Sequence, residues 1–190
     1  MSLLPVIAFC LVSPASQLLA AKGYETLMPD TTRGFVSVTN WNHLDAQWNK
    51  TQLGRLMKDP LMKPFRKDLR RQFEEQFERV RYKFGLTIDD LRGVSTGEVS
   101  AGMIQPAPNQ VALALLMDVQ GNQDKANMLL ATVTANQTKR GATQTQKLIE
   151  GTSALVFDLP PTKQDPQPGQ VIYFLRGDLF GAVDSLSVAE

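Results

Sequence analysis

The side chains able to do chemistry are few in this chain, and their spacing is unpromising for a reactive centre. His43 is the only histidine and Cys10 the only cysteine. A Ser-His-Asp or Cys-His mechanism would therefore have to use His43, yet it falls in the first turn of an expected helix with no nucleophile motif beside it. A surface or capping role is expected for it. One histidine, with the lone thiol inside an N-terminal apolar run, excludes a structural zinc site. Asp89 and Asp90 suggest paired carboxylates or calcium, but no loop of alternating oxygen ligands surrounds them, and a helix start favours acids there. The stretch from Gly121 to Ala126 has Lys125 near a helix start without the glycine pattern that cradles phosphate. Asn49-Lys50-Thr51 and Asn136-Gln137-Thr138 match the glycosylation triplet, which recurs by chance. Trp41 and Trp48 share a helical face and are expected in the core, the alternative being an aromatic platform for a ligand. No residue is assigned as catalytic, cofactor-binding or metal-ligating, and no cofactor is expected.

At the N-terminus, Leu3 to Val12 is a ten-residue apolar run. It would reach about 15 Å as a helix, half of the roughly 30 Å hydrocarbon core, so it reads as the apolar region of a signal peptide. Residues 1–21 are assigned to that signal, although no Lys or Arg precedes the run. Cleavage after Ala21 puts bulky Leu19 at the third-last position, whereas cleavage after Ala15 satisfies the small-residue rule through Ser13 but leaves apolar Leu18 to Ala21 on the mature chain. Phe9 stands where a lipoprotein signal needs a small side chain. Removal of the segment leaves a mature chain without a thiol, held by its core alone.

The elements follow from periodicity. Phe35–Asn40 alternates as a strand, and Asn40 or Asn42 can cap a helix from His43 to Lys58, with Leu44 and Trp48 on its buried face. From Leu61 to Phe84, the residues Phe65, Leu69, Phe73, Phe77, Val80 and Phe84 recur every three or four positions, a stripe expected in the core. Between Lys63 and Lys83 stand eight basic and four acidic residues, expected as a solvated face with i,i+4 pairs such as Arg70/Glu74. Gly85 ends the helix, and Thr87–Gly93 forms a short capped turn. Gly97–Gln105 and Gln110–Asn122 are strands joined through Pro106–Asn109. Gln123–Asn136 switches to helical spacing. Gln144–Gly151 and Ser153–Leu159 read as a hairpin around Gly151-Thr152, Pro160–Gly169 as an extended loop, and Val171–Asp184 as a hairpin about Arg176-Gly177-Asp178. A last helix begins at Leu186.

The chain order strand, helices, strand, strand, helix, strand is that of a split βαβ unit. The expected class is α+β: an antiparallel sheet of ferredoxin-like order plus extra hairpins, with helices packed on one face. Residues 22–190 are expected to form a single domain. Three strands run into a polar cap and a helix (at Asn40, Asp118 and Asp184), a weak internal echo. The third helix has one turn before Glu190, from which a longer parent protein is expected.

Four stretches, Pro29–Val38, Trp48–Phe65, Gly85–Val99 and Tyr173–Glu190, together resemble large exported planctomycete-type bacterial proteins of unknown function. They also resemble, more loosely, a hairpin-helix repeat domain of unknown function. The resemblance covers nearly all of the chain after the signal. It implies export and a longer parent chain, and it carries no reaction.

The chain has 190 residues, 43% hydrophobic and 21% charged, with net charge +1. That balance gives no global affinity for nucleic acid or anionic membrane, though a local patch stays open. The expected function is a non-catalytic exported or cell-envelope domain acting as a protein-interaction or scaffolding module, with another envelope protein as partner. No nucleic acid and no small-molecule cofactor are expected, and membrane contact only through the signal segment. Two alternatives stand beside it. One is a hydrolase whose strand-end carboxylates Asp118, Asp158 or Asp184 meet in a cleft, as in a glycoside hydrolase. The other is an anionic-polymer-binding module using the basic helix 63–83 through Arg66, Arg70 and Arg81.

Overall fold

The computed structural model describes residues 23–161 and 167–189, without the side chains of Asn42, Arg70 and residues 73–80. The expected signal peptide lies outside the described residues. After a single 3-10 turn at Tyr24–Leu27 come strand β1 (Thr32–Val38), helices α1 (Trp41–Lys50) and α2 (Gln52–Leu56), a 3-10 turn at Pro60–Met62, and helices α3 (Lys63–Phe84) and α4 (Ile88–Val94). The hairpin β2 (Val99–Ile104) and β3 (Ala112–Asp118) precedes helix α5 (Gln123–Lys139). Strands β4 (Thr143–Ile149), β5 (Thr152–Leu159), β6 (Gly169–Arg176) and β7 (Leu179–Val183) follow, then a one-turn helix α6 (Leu186–Ala189).

All strands join one seven-stranded sheet of order β1-β2-β3-β7-β6-β5-β4, and every neighbouring pair is antiparallel. The fold is α+β, and the expected chain order of elements holds. The strand placement of a ferredoxin-like split motif does not. Such a motif would set β1 beside β3, whereas β1 lies at one edge and β7 pairs with β3. Apolarity sorts the strands: β3 (ALALLMD) and β7 (LFGAV) are buried on both faces and take the centre, while β1 and β4 (TQTQKLI) are largely exposed and take the edges. Helix α5 carries the chain from central β3 to the far edge.

Alternation along the strands divides the core into two clusters. On one face Met117, Phe157, Tyr173 and Phe180 pack against α4, α5 and the end of α3 through Leu91, Leu129, Val133 and Phe84. Phe157 and Tyr173 meet edge to face at 5.7 Å. The other face is built from smaller residues such as Ala114, Ala154, Val156 and Val183. Among the described residues Met28, Ile149, Phe174 and the apolar residues of α6 pack against it. The major packed helices thus share one face as expected, while α6 folds onto the opposite one.

Two local expectations shift. The helix expected from His43 to Lys58 breaks at Thr51, whose hydroxyl caps α2 by accepting from Gly54 N at 2.9 Å. At that corner Gly54 approaches so closely that a Cβ would stand 2.0 Å from the Trp48 carbonyl oxygen. The β4–β5 turn is Glu150-Gly151, one residue earlier than expected, with φ of 47° and 76°. Two left-handed residues make the tight turn whose twist suits a hairpin.

Candidate functional site

The residues able to do chemistry are dispersed and mostly engaged in structure. His43 N donates to the Asn40 side chain at 2.9 Å, and the exposed ring meets Gln47. Asp90 closes a capping box, accepting from Thr87 N at 2.8 Å while its own N–H donates to the Thr87 hydroxyl at 3.1 Å. Asp118 and Asp184 stand at opposite ends of β7, since Asp118 pairs with Leu179 and Asp184 follows Val183. Five strand residues separate those ends by roughly 16 Å. Asp158 and Asp184 do border one open depression near Lys83 and Gln170. Both oxygens of Asp184 are occupied there: Oδ2 pairs with Lys83 Nζ at 2.6 Å, and Oδ1 accepts from Leu113 N at 2.7 Å. Asp158 accepts from Gln170 at 2.8 Å. A carboxylate committed to a lysine and a backbone amide is poorly placed to move protons for a substrate.

At the other end of β7, Tyr24 stands among Glu98, Asp118 and Asp178. Burial, reinforced by these three carboxylates, pushes its phenol up to about 12. Among the described residues no group of three or more His, Cys, Asp or Glu could hold a metal ion.

The most elaborate polar arrangement anchors a helix. The last turn of α3 has carbonyls without intrahelical partners, and α5 and β6 supply them. Gln137 Nε2 donates to Lys83 O at 3.1 Å and to the Tyr173 hydroxyl at 2.9 Å, while that hydroxyl donates to Phe84 O. Arg140 donates to Tyr82 O and to Gln137 Oε1, and its guanidinium lies 4.0 Å over the Tyr82 ring. Gly85, in the left-handed region at φ 61°, returns its N–H to Arg81 O at 2.8 Å. Tyr173 is fully buried, and burial raises its phenol above the ordinary value. Sequence reading passed over this knot, taking Gln137 only as part of a glycosylation triplet. A signal existed: Gln137 continues the buried row Ala126, Leu129, Val133 of α5, and a polar residue in such a row needs buried partners.

Beyond that anchor the helical segment between β1 and β2 is differently packed. Trp41 joins the core, its ring 5.1 Å beneath the Arg92 guanidinium. Trp48 and Leu44, expected in the core with it, are each 45% exposed. Leu53 and Leu56 of α2, and Phe65 and Leu69 of α3, are 48–50% exposed, and Leu61 is 87% exposed. None of these belongs to either buried cluster. The expected core stripe of α3 therefore divides. Phe84 is buried, Phe65 and Leu69 face solvent, and Phe73, Phe77 and Val80 lie outside the described side chains. A 22-residue helix is about 33 Å long. Tied down at its C-terminal end, its first turns join neither buried cluster among the described residues.

That same segment is basic. Between Lys50 and Arg71 stand eight Lys and Arg against Asp59 and Asp68 alone. Both acids are used locally. Asp59 accepts from Leu61 N at 2.8 Å, and Asp68 pairs with Arg71 at 2.6 Å. Arg71, hydrogen-bonded to Asp68, holds that carboxyl below its ordinary value.

The thinly covered second face of the sheet carries a groove of about 670 Å³. Met28, Ile104, Phe174 and Val188 line it together with Glu150 and Arg176. No helix among the described residues is long and apolar enough to cross a membrane. Comparisons with protein-family models, with curated proteins and with solved structures give no match.

Proposed function

We propose that this is a non-catalytic exported domain of the cell envelope, a scaffolding or interaction module of a larger protein that works by contact. Its working surface is the helical apron from Leu44 to Leu69, displayed by a sheet whose role is support. One observation carries the reading: among the described residues large apolar side chains stand exposed along these consecutive helices, while most large apolar side chains of the sheet and α5 are buried or half-buried. Monomeric surfaces rarely leave so much apolar area together unless something docks there. The apolar run Leu3–Val12 and the resemblance to exported proteins support the envelope as the place of work. Fractionation of cells producing the full chain tests this. Wild-type protein should be found with envelope material, and Trp48→Ser/Leu61→Ser/Phe65→Ser should release it while Asp118→Asn and Asp158→Asn do not. Retention of the triple variant would remove the apron from its role.

A further inference from the structure

We infer that the partner of the apron is an anionic lipid surface, on which α1, α2 and the first turns of α3 lie flat; this rests on the contact reading above and names what is contacted. Phe65 and Leu69 are one turn apart on one stripe of α3, and Lys63/Lys67 with Arg66 form the neighbouring rows. Lys50, Arg55 and Lys58 bring exposed positive charge to the same segment as the exposed Trp48, Leu53 and Leu56. A helix with aromatic and leucine side chains on one face, Lys and Arg beside them and low overall hydrophobicity is the form that settles into a headgroup layer without spanning it. Electrostatic complementarity selects the lipid: the chain is nearly neutral at +1, so the concentration of charge between Lys50 and Arg71 is local and directed. A polyanion would need the basic residues alone, and a protein groove would need the apolar residues without so one-sided a charge. An anionic lipid interface uses both. This contact is additional to any made by the N-terminal apolar run Leu3–Val12, which itself carries no Lys or Arg.

The test is co-sedimentation of the full chain with vesicles of phosphatidylcholine alone and of phosphatidylcholine with phosphatidylglycerol. Every variant shares the N-terminal run, so the readout is the difference between vesicles and between variants. The wild type should prefer the phosphatidylglycerol vesicles and lose that preference in high salt. Lys63→Gln/Arg66→Gln/Lys67→Gln should weaken binding roughly 100-fold, a factor of about five for each charge near the surface. Leu61→Ser/Phe65→Ser should weaken it by at least about tenfold, with unchanged circular dichroism, since both side chains are exposed. Equal binding to the two vesicle types overturns the inference. So does loss in the basic variant with none in the apolar variant, which indicates a polyanion site. Absence of vesicle binding, with envelope release by the apron variant intact, overturns the lipid assignment and leaves the contact reading standing with a protein partner.

Discussion

Removing one oxygen atom should loosen the anchored end of α3. In Tyr173→Phe the ring stays in its edge-to-face contact with Phe157, but the hydroxyl that donates to Phe84 O and accepts from Gln137 is gone. Gln137 Nε2 keeps its bond to Lys83 O, so the principal casualty is the Phe84 carbonyl at the buried end of α3. A buried acceptor left without its donor costs about 1–3 kcal/mol. For a domain of this length each kcal/mol moves Tm by roughly 2–4 °C, so a fall of about 2–12 °C is expected. Chemical denaturation followed by circular dichroism should show a lower midpoint with an unchanged slope. Hydrogen exchange should quicken at residues 81–86 before it does in β5 or β6. Gln137→Leu should couple to it, the double variant losing less than the two single losses together by about 0.5–3 kcal/mol. A Tm within about 1 °C of wild type, or strict additivity with Gln137→Leu, refutes the view that this knot holds α3 to the sheet.

Three further outcomes follow from the same geometry. Lys83→Met strands the Asp184 carboxylate, whose side chain is 3% exposed, and should cost about 2–4 kcal/mol in denaturant melts; adding Asp184→Asn should recover part of it. Gly54→Ala forces the α1–α2 corner open against the Trp48 carbonyl; exchange should rise across residues 48–56 while the Tm of the sheet stays put, because the corner lies outside both buried clusters. The folded-state phenol of Tyr24 is raised from 10.0 to about 12, so the folded protein holds that proton more tightly than the unfolded chain. The stabilisation is complete below pH 10 and is lost as pH climbs toward 12, with Tyr173 shifting in the same direction. Alkaline melts should show the midpoint falling through that window, and Tyr24→Phe should flatten the fall.

Most strands and helices were legible because their signals are local. Alternation marks β1 and β2, the run ALALLMD marks a strand buried on both faces, and Thr87 with Asp90 writes its own capping box. Helix breaks were harder: Gly54 looks like a weak helical residue until its approach to a backbone carbonyl is seen. Strand neighbours were not legible, since the same chain order suits either a split motif or the observed insertion of β7 beside β3. The apron was misread for a related reason. Leu44, Trp48, Phe65 and Leu69 have the periodicity of a core face, and periodicity says that a face is apolar without saying what covers it. Gln137 was the converse case, where a polar residue looked ordinary until its partners on α3 and β6 came into view.

The environment of Trp48 tests the central claim most directly. In a Trp41→Phe background its emission reports the apron alone, because the chain has only two tryptophans. The account predicts an indole open to acrylamide quenching in the free protein, becoming blue-shifted and shielded when phosphatidylglycerol vesicles are added. An indole already shielded before vesicles are present, or one equally quenched at saturating vesicle, contradicts it.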